Sequence, residues 1–81
     1  MSNENYLKAL DLLDQGKWDD AHEICQADEG TPMADWIHAH LHKEEGDLPN
    51  SGYWYRKYGH DHIELELSEE RELIRKTLHK S

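Results

Sequence analysis

The sequence predicts an all-α fold: two antiparallel helix hairpins followed by a C-terminal capping helix. Apolar residues recur at three- and four-residue spacing through most of the chain, the signature of one buried helix face. Glycines stand where those segments close, at Gly16, Gly46 and Gly59. The first two segments also lie over the next two at an offset of 30 residues, the separation of Gly16 and Gly46.

The first helix is expected from about Glu4 to Gln15, with Tyr6, Leu7, Leu10 and Leu13 on its inner face. Ser2 or Asn3 is the expected cap, and Glu4 suits the positive end of the helix dipole. Gly16 closes it as a left-handed C′ residue. The second helix follows from Trp18 to Ala27, with Trp18, Ala21, Ile24 and Cys25 inward. So short a link folds the pair back as a hairpin. Asp28-Glu29-Gly30 breaks the pattern, and Thr31-Pro32 restarts it as an N-cap and first helical residue.

The third helix runs to about Glu45, with Met33, Trp36, Ile37, His40, Leu41 and Glu44 along a broad stripe. Asp47 caps the fourth, where Pro49 is harmless in the first turn. Leu48, Ser51, Trp54, Tyr55 and Tyr58 form its inner face, up to Gly59. From His60 to Leu67 the period changes to two, as Ile63, Leu65 and Leu67 alternate with Glu64 and Glu66. This segment reads either as an extended linker on the helices or as a strand that pairs with a second copy. Ser68 caps the last helix, which Leu73, Ile74 and Leu78 pack on the rest, with Glu69 and Glu70 in its first turn.

Residues 1–81 form one domain: hairpins at about 4–27 and 31–59, a linker at 60–67 and a helix at 68–79. So short a chain buries a modest core. It has no Phe, so its Trp and Tyr rings carry much of the packing and need polar partners for their N–H and O–H groups. The small core and the alternating segment make a homodimer one expectation. Cys25 is the only cysteine, which excludes a disulfide framework and reads as a small buried hydrophobe in a reducing compartment. No stretch approaches the roughly 20 apolar residues of a membrane span, and the start lacks a leader pattern, so a cytoplasmic location is expected. The net charge of −9 repels phosphate backbones and anionic membranes, and argues against nucleic-acid and membrane partners.

At the 30-residue offset Tyr6 matches Trp36, Leu7 matches Ile37, Ala9 matches Ala39 and Ala21 matches Ser51, while Leu10/His40 and Leu13/Lys43 break the match. The run Leu12-Leu13-Asp14-Gln15-Gly16-Lys17-Trp18-Asp19-Asp20-Ala21 resembles the turn of a tetratricopeptide repeat. Ser51 to Gly59 resembles the second helix of the short tetratricopeptide relatives, with Tyr58 and Gly59 in place of two alanines. The resemblance implies right-handed stacking of the hairpins and a protein-binding role. The run Trp36 to Asn50, followed by Tyr53-Trp54-Tyr55, is similar to a signature of small microbial proteins of no assigned activity.

Seven histidines are many for this length, and their placement matters more than their number. His38 and His42 share a helical face, and Glu45 follows one turn later. Two imidazoles four residues apart with a carboxylate suit Zn²⁺ or Fe²⁺. One expected function is therefore a small metal-binding protein, hydrolytic or sensory, whose ion sits on His38, His42 and Glu45, completed by His22, His60 or His62. The other, preferred on sequence, is a non-enzymatic protein–protein interaction module without a cofactor. It would present His38, His42 and Glu45, or Tyr53 and Arg56, to a protein partner. No phosphate loop or serine-nucleophile motif occurs, and His22-Glu23-Ile24-Cys25-Gln26 has Gln26 where a zincin needs its second histidine. No catalytic residue is assigned.

Overall fold

The computed structural model describes residues 3–80. Five α-helices follow one another: α1 (Asn3–Asp14), α2 (Trp18–Gln26), α3 (Pro32–Glu44), α4 (Leu48–Tyr58) and α5 (Leu67–Lys80). Among the described residues there is no strand, and no helix is long and apolar enough to cross a membrane.

α1 and α3 end in the same way. The Gly16 N–H bonds Leu13 O and the Lys17 N–H bonds Leu12 O; thirty residues on, Gly46 bonds Lys43 O and Asp47 bonds His42 O. This crossed pair is the Schellman closure, and it places its glycine at positive φ, +78° and +86° here. The chain then re-enters a helix within two residues, so each helix packs on its predecessor. Tyr6, early in α1, bonds Asp28 just past the end of α2. Along α4, Asn50 meets His42, Ser51 Oγ donates to Ala39 O at 2.7 Å, Trp54 stacks on His38 and Tyr58 on Trp36, so α4 retraces α3 in reverse. Ala21 and Ser51, matched at the repeat offset, are both fully buried at these contacts.

α3 is the central element: every residue from Ala34 to His42 is buried. α2 packs on one side of it, where Trp18 Nε1 donates to Leu41 O at 2.8 Å. α5 packs against α1 and α3. Arg75 reaches Asp11 and Asp14 from it, at 3.0 and 2.6 Å. Arg71 pairs with Glu44 and Asp14.

Several expectations need correction. Of the two readings of the alternating segment, the strand falls and the linker stands, with a turn at residues 63–64. Lys43 explains why: its buried ammonium donates to the carbonyls of His62 and Leu65, both at 2.9 Å, and so curls the chain around itself. α5 begins before Ser68, and Glu69 Oε1 reaches back to the Glu66 N–H, half of a capping box. Asn3 is already helical and donates to Leu78 O at 3.0 Å, while Ser2 lies outside the described residues. Leu48 is 54% exposed because it opens α4 at the tip of the hairpin. Leu73 is exposed because the buried stripe of α5 runs Glu70, Ile74, Leu78 in four-residue steps, which leaves position 73 about 100° away.

Candidate metal centre

α3 and α2 bring three histidines together. His38 and His42 lie one turn apart on α3 with rings stacked at 5.0 Å, and His22 on α2 meets both edge-on, at 4.7 and 5.6 Å. One ring nitrogen of each lies within 4.8 Å of the other two. His22 Nε2 and His38 Nε2 stand 3.0 Å apart. Two imidazole nitrogens on one tetrahedral zinc, at about 2.0–2.1 Å each, stand about 3.3 Å apart.

Aromatic rings wall the cluster. Trp18 stacks on His22 at 4.9 Å and Trp54 lies flat on His38 at 3.9 Å. The Trp18 ring is fixed by its bond to Leu41 O, one turn of α2 before His22. His38 and His42 are buried and His22 is half-buried, so the cluster opens to solvent on the α2 side.

The electrostatics favour neutral rings at His38 and His22. Burial pushes the His38 imidazole down to about 4, helped by His22 and His42 beside it. His22 is lowered by burial and by His42, against the pull of Glu45, Asp19 and Glu29. A neutral imidazole is the ligand form. Of the buried side-chain nitrogens and oxygens among the described residues, His38 Nδ1 is the one with no hydrogen-bond partner. Such an orphan costs about 1–3 kcal/mol.

Glu45, expected beside His38 and His42 as a ligand, is not in the group of three imidazoles and meets it through His42. Its Oε1 accepts from His42 Nδ1 at 2.6 Å; in the neutral ring, the form a metal binds, the proton then sits on Nδ1 and Nε2 carries the lone pair. Carboxylates orient metal-bound histidines in this way. Asn50, at the start of α4, points its side-chain amide at that Nε2 from 3.4 Å. His42, Glu45 and Asp47 also form a second group of candidate ligands, at the exposed end of α3.

His60 and His62 do not join the three imidazoles. They lie against Trp36, Tyr55 and Tyr58, with His62 at 4.9 Å from Trp36 and His60 at 5.6 Å from Tyr58. The burial of His38 and His42 removes them from any exposed face that a partner would read. Tyr53 and Arg56 are exposed on α4, with Lys57 Nζ 5.4 Å over the Tyr53 ring.

A second polar cluster was not foreseen. Glu70 is fully buried and accepts from Trp36 Nε1 at 2.9 Å, His40 Nδ1 at 2.7 Å, Lys43 Nζ at 2.7 Å and Tyr55 OH at 2.5 Å. Burial alone would raise its pKa; bonds from His40, Lys43 and Tyr55 outweigh this and hold it near 2. Cys25 is fully buried, and burial pushes its thiol up to about 12, with Asp28 and Asp35 adding to the rise, so it is inert. No protein-family model, curated protein or solved structure matches the chain.

Proposed function

We propose that this chain is a small metal-binding protein that holds one divalent transition-metal ion, zinc or iron, between His22, His38 and His42. The convergence of three imidazoles from two helices carries the reading, because a hydrogen-bond partner would have required only two. All-imidazole sites suit zinc, copper, nickel and iron, and the oxygen-seeking ions magnesium and calcium poorly. Trp18 and Trp54 brace the rings of His22 and His38, and Glu45 supplies the outer support of His42.

Calorimetric titration of the full chain with Zn²⁺, checked by native mass spectrometry, tests this. One ion per chain is expected, with affinity falling more than tenfold in His22→Ala. His22 is half-buried, so that variant keeps its fold. Absence of binding, or uptake by His22→Ala and His42→Ala equal to that of the unaltered chain, would refute the site.

A second reading, the interaction module, rests on the exposed Tyr53 and Arg56, one turn apart on α4. An exposed aromatic beside an arginine resembles an interface hot spot. The matching turns of the two hairpins support a tetratricopeptide-like repeat for such a module. If Tyr53→Ala and Arg56→Ala retain every protein captured by the wild-type chain, the partner surface lies elsewhere.

A further inference from the structure

We infer, resting on the metal reading above, that the ion keeps one exchangeable position, and that its occupant is a small neutral oxygen donor, water first, held by the side-chain amide of Asn50. The ligand count is the first argument. The cluster supplies three nitrogens, and no fourth His, Cys, Asp or Glu among the described residues brings a ligand atom within 4.8 Å of all three. Structural zinc sites are closed by four protein ligands, whereas three protein ligands leave a position for water or substrate.

Asn50 supplies the second argument. With His42 Nδ1–H given to Glu45, His42 Nε2 is an acceptor, and Asn50 Nδ2 lies against it at 3.4 Å. An ion on Nε2 takes up that lone pair. The Asn50 N–H then stands beside the ion without an acceptor, and an oxygen on the open position is the acceptor in reach. The amide is a donor waiting for a ligand that arrives only with the metal. Its backbone is held independently, because the Asn50 N–H of the main chain bonds the Asp47 cap at 3.3 Å. Removing the side chain therefore leaves α4 intact.

Charge selects the occupant. Three neutral imidazoles leave the full charge on the ion, which acidifies a bound water. Asp19, Glu29 and Glu45 all act on His22 from nearby, and the whole chain carries a charge of −9, so anions are disfavoured at the mouth. Water and small neutral donors remain.

The test loads the full chain with Co²⁺ and follows its visible d–d spectrum, with ion retention checked by native mass spectrometry. The expected spectrum changes as the bound water deprotonates at about pH 7–9, and again when imidazole is added as a neutral probe. In Asn50→Ala the deprotonation midpoint should rise by about one pH unit, since a donor to the hydroxide has gone. Cobalt bound with a spectrum indifferent to pH and to imidazole means a closed site, which overturns this inference and leaves the metal reading standing. Failure to bind cobalt, zinc or iron overturns both. An unchanged midpoint in Asn50→Ala removes Asn50 from the site.

Discussion

α3 buries imidazoles on two of its sides, and the two sides treat them differently. Toward α5, His40 has both nitrogens engaged: Nδ1 donates to Glu70 and Nε2 accepts from Arg71 Nε at 3.1 Å. Around them Trp36, Lys43 and Tyr55 complete a carboxylate-centred network. Toward α2, His38 has one ring nitrogen shared with His22 and the other orphaned, and the acid nearest the three rings touches only His42. Residue type, helix and depth are the same; what differs is whether a counter-charge is buried with the ring. A saturated network locks a fold, because nothing is left for a ligand to satisfy. An unsaturated one is held open at a cost in stability, which is where a ligand finds its work.

The largest test of that contrast is Glu70→Ala. It takes the counter-charge from a buried ammonium and the acceptor from an indole N–H, a phenol and an imidazole, and should cost about 3–5 kcal/mol in urea denaturation. A loss below about 1 kcal/mol, the scale expected for His22→Ala, would erase the distinction between the two sides.

Acid should open the Glu70 side by about 3 kcal/mol. The Glu70 carboxyl is held near 2 in the fold against 4.5 as its ordinary value. A depressed carboxylate gives its full stabilisation above the unfolded pKa and loses it as pH falls toward the folded one. Stability is therefore expected to decline between pH 4.5 and 2. The same descent should be shallower in Glu70→Gln; superimposable pH profiles would contradict the assignment.

A sharper comparison swaps single rings. His38→Phe removes the orphaned nitrogen and keeps a ring on Trp54, so stability should move by less than about 1 kcal/mol while zinc uptake is lost. His40→Phe leaves Glu70 and Arg71 short of partners and should cost about 2–3 kcal/mol, with zinc uptake unchanged. Equal losses in the two variants would mean that both histidines serve the fold alone. The smallest effect is expected at Tyr53→Ala, within about 0.5 kcal/mol, since its ring is 45% exposed.

Part of the Glu70 network was written in the sequence. The repeat breaks at Leu10/His40 and Leu13/Lys43, and those two polar substitutions are the residues that bond Glu70. Glu70 itself shares a four-residue step with Ile74 and Leu78, which marks it as inward-facing. Its place in the first turn also suits the helix dipole, and that reading gives no sign of the four donors it accepts from. The metal candidates were half legible. The spacing of His38 and His42 put them on one face, but the choice of His22 over His60 or His62 depends on which helix packs beside α3, and local pattern carries no such information. Glu45 lies one turn beyond His42, so spacing alone could not separate a ligand from the group that orients one.

The sequence by itself determined the helices and their glycine closures, because these depend on contacts within about six residues: periodic apolar faces and left-handed glycines. It also showed seven histidines, with His38 and His42 on one helix face. Only the tertiary structure decided that Lys43 curls the linker, that Glu70 gathers four donors from α3 and α4, and that α2 brings His22 to His38 at 3.0 Å. Those outcomes depend on which polar groups lose water together, and that is settled by long-range packing of helices far apart in the chain.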